Sequence, residues 1–361
     1  MVLVRRTEPG RRAGTVVTGA CGPGMGGGRS TVVISPITIS SAARDRPQTV
    51  TVRTVTGAYR FLHANLNTPD VATAAELYTR GLGLVVVMQT NTAPLDGALY
   101  GRPGRTTHSD ATFLYDDRGP RRAIGLELQQ WYRPKVVGTP YDDVRIWGIQ
   151  ALGLALPSLD GAAEAMRAAG GSVVGERHGA LLRSGPRTLW VRDRDGVLLE
   201  LTEERGVPGG RLHRLVISVD DLDAALAFYG ALGFEQVAHE RIGDASDVFP
   251  TAAANDAVDA YELRLPDDHT FFLLLLAWDR PPIGVCAYTE PWHRGMYRFA
   301  LAVDDVRAEH ARLVAAGIDA VGEPTTVSMD GTAVGELTVC FFHDPGGIAV
   351  ELAERPRSAF A

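Results

Sequence analysis

From Ala58 onward the hydrophobic and polar positions follow one order that recurs four times. An alternating run leads through a turn carrying Asp or Ser into an Ala-rich amphipathic run: RFLHANLNTPDVATAAELY, IQALGLALPSLDGAAEAM, LHRLVISVDDLDAALAFY and YRFALAVDDVRAEHARLV. Alternation with period two predicts a half-buried strand, and apolar residues three and four apart predict a helix. The helices are predicted to end near Gly83, Gly170, Gly233 and Gly317, because the left-handed turn after a helix favours glycine. Strand-like runs follow, among them TLWV at 188–191 and LTVCFF at 337–342. Each unit therefore reads β-α-β-β-β, and the fold class is α+β with four βαβββ units.

Spacing groups the units in pairs. Arg214 follows His63 by 151 residues, as Glu351 follows Glu200, while Arg298 follows Ala151 by 147 and Leu274 follows Glu127 by 147. The chain reads as a duplicated pair: units 58–133 and 145–204 form a first domain, 58–204, and units 211–279 and 296–354 a second, 211–354. Proline-containing linkers join the units within each pair, and RGVPGG at 205–210 separates the halves. Residues 1–57, rich in Gly, Arg, Thr and Ser, show little sustained period and are expected to be mostly disordered, with one short strand at TVVISPITI. CGPGMGGG at 21–28 lacks the GK[ST] that a phosphate loop requires, so a flexible leader is the preferred reading.

Composition narrows the partners. A 361-residue chain with 45% hydrophobic residues can bury substantial cores. Its net charge of −7 and the absence of a basic run argue against nucleic acid or an anionic membrane as partner, leaving a small molecule. Cys21, Cys286 and Cys340 form no CxxC pair, so neither a disulfide framework nor a cysteine-rich zinc site is expected. The N-terminus lacks an apolar run of signal-peptide length, and FFLLLL at 271–276 is too short to span a bilayer. The expectation is a soluble, cytoplasmic monomer or homodimer.

On the first strand, period two puts His63, Asn65 and Asn67 on one face, opposite Ala64 and Leu66. In the second unit Ala151, Gly153 and Ala155 share the corresponding face, and their small size would leave room for a ligand. Arg102 and Arg105 are candidates for contact with an anionic substrate, and solvated arginines are the plainer alternative. His108 is a candidate fourth ligand or proton shuttle, or else an ordinary loop histidine.

The layout resembles the vicinal oxygen chelate superfamily of glyoxalases, bleomycin-resistance proteins, epimerases and extradiol dioxygenases. The resemblance is carried by ELYTRGLGL at 76–84, AFYGALGF at 227–234, and the unit endings DRDGVLLEL at 193–201 and DPGGIAVEL at 344–352. It implies two paired-unit domains, each a strongly curved mixed sheet with helices outside. It also implies four metal-ligand columns, one on the first strand and one on the last strand of each unit. The first-strand column holds His63, Ala151, Arg214 and Arg298, and the last-strand column Glu127, Glu200, Leu274 and Glu351.

With neighbouring units paired, the first half offers His63, Glu127 and Glu200 to a divalent metal ion, since imidazole and carboxylate accept zinc, manganese, iron, cobalt or nickel. Glu127 or Glu200 would act as the base, and Asn65, Asn67 and Gln129 would complete the surface facing the substrate. In the second half guanidinium groups exclude a metal, and Arg298 and Glu351 are expected to pair there, with Leu274 closing the fourth corner. The function implied first is a glyoxalase-like, metal-dependent isomerase, epimerase or lyase acting on a small molecule with vicinal oxygens, including those of secondary metabolism. A metal-free antibiotic-binding or resistance protein is the alternative. A ring-cleaving dioxygenase comes third, because the chain lacks the two-histidine, one-carboxylate set.

Overall fold

A computed structural model describes residues 57–178, 181–182, 187–280, 288–329 and 332–360. The strand expected at TVVISPITI, the glycine-rich stretch, Cys21 and Cys286 lie outside the described residues.

All four units take the expected form. The first runs β1 (Arg60–Thr68), α1 (Val71–Glu76, continued as a wider turn through Gly81), β2 (Val85–Asn91), the short β3 (Leu95–Gly97), β4 (Arg102–Tyr115) and β5 (Gly125–Arg133). The second has β6 (Gly148–Leu156), α2 (Ala162–Ala168), β7 (Ser172–Arg177), β8 (Thr188–Arg192) and β9 (Leu198–Glu203). In the third follow β10 (Arg211–Val219), α3 (Leu222–Ala231), β11 (Glu235–Ile242), β12 (Val258–Arg264) and β13 (Phe272–Trp278). The fourth comprises β14 (Arg298–Val303), α4 (Val306–Ala315), β15 (Thr325–Met329), β16 (Gly335–His343) and β17 (Ala349–Glu354).

Three of the four turn residues cap their helices: Asp70, Asp221 and Asp305 accept from the backbone N–H of Thr73, Ala224 and Ala308 at 3.1, 3.0 and 2.9 Å. In the second unit α2 starts later, after Gly161, and Ser158 instead accepts from the Asp160 N–H. Gly83, Gly170, Gly233 and Gly317 all have positive φ, as the helix-ending turns require.

Strand pairing departs from the expected order. The units expected to pair, first with second and third with fourth, do not share a sheet. The first sheet runs β15-β16-β17-β14-β1-β5-β4-β2, joining the fourth unit to the first, and the second runs β11-β12-β13-β10-β6-β9-β8-β7, joining the third to the second. The seams are antiparallel pairings of first strands, β1 on β14 and β10 on β6. The two units of each sequence half meet instead through their helices. Leu77, Met166, Phe228 and Leu313, one from each helical segment, lie in a single apolar core. Tyr78 donates to Asp193 at 2.8 Å and Tyr229 to Asp344 at 2.9 Å, each bond tying the helix of one unit to the last loop of the next.

Candidate functional site

The seam decides which columns meet. In the first sheet β1 brings His63, β5 brings Glu127, β14 brings Arg298 and β17 brings Glu351. Glu200 lies in the second sheet on β9, whose neighbour β6 pairs with β10, and there it meets Arg214. The expected convergence of His63, Glu127 and Glu200 therefore does not occur. Glu351 of the fourth unit takes the place foreseen for Glu200.

Arg298 is the hub of the first-sheet site and is 4% exposed. Its Nε donates to Glu351 Oε2 at 3.0 Å, Nη1 to Gln129 Oε1 at 2.8 Å and Nη2 to Glu127 Oε2 at 2.7 Å. Asn65 Nδ2 supports the same acceptors, reaching Glu127 Oε2 at 3.0 Å and Gln129 Oε1 at 3.2 Å. Gln129 in turn donates to Ser109 Oγ at 2.8 Å. The expected Arg298–Glu351 pair is thus present, but on the same surface as His63 and not with Leu274.

His63 Nε2 is buried without a well-directed hydrogen bond, 3.3 Å from Glu127 Oε2 and 3.6 Å from Glu351 Oε2. Burial pushes the Glu351 carboxyl up, but His63 and the Arg298 charge outweigh it and hold the group at about 2. Burial likewise works against the Arg298 charge, and Glu127 and Glu351 reverse the effect, raising its pKa. The guanidinium stays protonated. Burial pushes the Tyr100 phenol up to about 12, keeping it a proton donor.

Above these groups opens a cleft enclosing about 710 Å³, part of it open to solvent. Its polar floor is His63, Glu127, Gln129, Arg298 and Glu351, and Thr90, Thr107, His108 and Ser109 stand on one flank. Phe113, Phe341, Val327, Met329, Leu337 and Val339 make the walls apolar. His108 sits on β4 and not in a loop, its ring 5.1 Å from that of Tyr132.

Three other candidates are engaged elsewhere. Asn67 donates to the carbonyls of Pro291 and His293 at 2.8 Å each. Arg102 donates to the Thr289 carbonyl at 2.5 Å, and Arg105 lies over the Trp292 ring at 4.4 Å. Sequence reasoning missed Tyr100, Phe113 and Phe341 as lining residues. Alternation along β4 and β16 was the available signal, but it shows a face without saying what that face encloses.

The equivalent place in the second sheet is filled. Arg214 is fully buried, its Nε donating to Glu200 Oε2 at 2.5 Å and Nη2 bonding the other oxygen. Around this pair Trp190, Val216, Phe249 and Leu274 form a continuous apolar cluster. The small β6 residues make room for protein, not ligand: a Cβ on Gly153 would stand 2.6 Å from Arg214 Cγ and 3.2 Å from Glu200 Oε2. His213 is half-buried, and desolvation with the Arg214 charge pushes its pKa well down, so its imidazole stays neutral.

A divalent ion would need the Glu127 and Glu351 oxygens that face His63. Those two oxygens already accept from Arg298, whose positive charge would repel the ion, so the arrangement does not fit a metal. Among the described residues no group of three His, Cys, Asp or Glu is disposed to hold one. No helix among them is long and apolar enough to cross a membrane.

Comparison with known proteins places this geometry in a family. The sequence profile of the Glyoxalase/Bleomycin resistance protein/Dioxygenase superfamily matches twice, over residues 60–201 and 211–352. Among solved structures, glyoxalase I from Zea mays is similar with a TM-score of 0.58 and 19% identity, covering 82% of this chain and 92% of its own. A point mutant of that enzyme gives a TM-score of 0.59 and 20% identity, covering 82% and 92%. A putative dioxygenase from Bacillus subtilis gives 0.53 and 15%, covering 85% and 88%. At such identities these likenesses establish the fold. No curated protein matches. The two matched segments span most of the chain, which therefore belongs to the Glyoxalase/Bleomycin resistance protein/Dioxygenase superfamily.

Proposed function

We propose that the protein binds a small amphiphilic molecule in the first-sheet cleft and does so without a metal ion. The observation that carries this reading is the contrast between the two equivalent places: an open cleft over a buried polar floor in one sheet, a packed core in the other. Apolar walls with a few convergent polar groups are the usual make-up of a small-molecule site. Two carboxylates against one guanidinium leave the floor with one excess negative charge, before any proton on His63 is counted. A ligand that presents a hydroxyl or amine suits it better than one that presents a carboxylate or phosphate.

The metal-dependent isomerase or lyase expected from the resemblance would require Arg298 to leave both carboxylates, stranding a buried guanidinium without its counter-charges. Sequestration of the ligand makes no such demand. A second reading, metal-independent proton transfer, draws support from His63. Its Nε2 makes no well-directed hydrogen bond and lies between two carboxylates whose charge favours its protonated form, so it is able to take a proton from a ligand carbon or oxygen beside it, with Arg298 and Tyr100 stabilising negative charge that develops there.

The test is equilibrium binding of a panel of apolar amines, alcohols and carboxylic acids to the metal-stripped protein. Amines or alcohols should bind, and both His63→Ala and Phe113→Ala should weaken them about tenfold or more. Binding that survives both substitutions unchanged, or that appears only after a metal is added, would overturn the reading. Turnover lost in His63→Ala while binding persists would favour the proton-transfer form.

A further inference from the structure

Resting on the reading that the first-sheet cleft works without a metal, we propose that Arg298 is the site's built-in cation. Its guanidinium stands where a divalent ion would otherwise be shared by His63, Glu127 and Glu351, and removing it uncovers a latent metal site. Three observations meet here. His63 Nε2 lies 3.3 and 3.6 Å from one oxygen of each carboxylate. Ligand atoms about 2.0–2.2 Å from one ion stand about 3.0–3.5 Å from each other, a range that these two separations approach. The two oxygens concerned are the ones that Arg298 binds, through Nε at 3.0 Å and Nη2 at 2.7 Å. Finally, His63 Nε2 is buried with no well-directed hydrogen bond, and its polar neighbours are those same two carboxylate oxygens.

The two sheets make the inference specific. Deleting Arg214 in the second sheet would leave Ala151, Leu274 and Glu200 in the other columns, of which Glu200 alone can ligate. Deleting Arg298 would leave an imidazole and two carboxylates. Burying two carboxylates without a counter-charge is costly, which favours uptake of a cation by a variant that retains the fold.

The experiment uses untagged full-length chain, stripped of metal and titrated with cobalt(II) and zinc(II), with bound ion counted after dialysis and cobalt followed by its visible absorption. Wild type and Arg214→Gln should retain no stoichiometric ion. Arg298→Gln, whose amide oxygen can act as a fourth donor, should retain about one ion per chain, and adding His63→Ala should weaken that binding about tenfold or more. If Arg298→Gln is unstable, Arg298→His serves, and refolding of either variant that depends on added metal supports the proposal. Wild type that retains one ion and loses it with His63→Ala overturns the proposal. So do folded Arg298 variants that take up none, or variants that fail to fold with or without metal. Failure of the ligand panel with wild type, alongside metal uptake by Arg298→Gln, would reject the binding function and leave this assignment standing.

Discussion

Arg298 Nη2 donates to Glu127 Oε2 at 2.7 Å, joining residues 171 positions apart and tying the last unit of the chain to the first. The bond crosses the seam between β14 and β1, so the residues that make the site also hold the sheet together. Neither sequence half contains this site by itself.

The second sheet has a comparable lock, set in an apolar cluster. Replacing Arg214 with Met should destabilise the fold by about 3–5 kcal/mol, because Glu200 is left charged in an apolar cluster. Replacing both, Arg214→Met with Glu200→Leu, should recover most of the loss. Urea unfolding of the two variants checks this, and a double variant as unstable as the single would mean that the pair contributes more than charge compensation.

Acid should weaken the first-sheet site in a defined window. Burial raises the Glu351 carboxyl, but His63 and Arg298 bring it down to about 2 from an ordinary 4.5. A carboxyl whose pKa is lowered by folding contributes stability that is fully present above its unfolded pKa and is lost as pH falls through the folded one. The contribution, on the order of 3 kcal/mol, should therefore fade from about pH 4.5 toward pH 2. Unfolding free energies of wild type and Glu351→Gln, measured across that range, should converge at the acid end. A constant gap between them would show that Glu351 acts through shape and not charge.

Gly153 and Gly230 should respond oppositely to the same substitution. A methyl at Gly153 would meet Arg214 Cγ at 2.6 Å, so Gly153→Ala should cost about 1–3 kcal/mol by overpacking. At Gly230, inside α3, a Cβ meets nothing within 4 Å, and Gly230→Ala should be neutral or stabilise by up to about 1 kcal/mol through helix propensity. Thermal unfolding of both variants distinguishes local crowding from a general effect of removing glycine.

Much of this molecule was legible in the chain alone. The turn aspartates, the glycines that end the helices and the alternation along the strands are local signals, and they fixed four βαβββ units because capping, positive φ and pleat depend on near neighbours. The same alternation put His63 and Asn65 on one polar face, and the repeat offsets made Arg298 the counterpart of Ala151 and Glu351 the counterpart of Glu200. What the sequence left open was which units share a sheet. Pairing β1 with β14 or with β6 leaves each unit's own periodicity unchanged, because either seam presents a first strand to a first strand. Only the tertiary structure decided between them. Through that one choice it sent Glu200 to Arg214 and Glu351 to His63, and it set the Arg298 guanidinium between the two carboxylates of the first-sheet site.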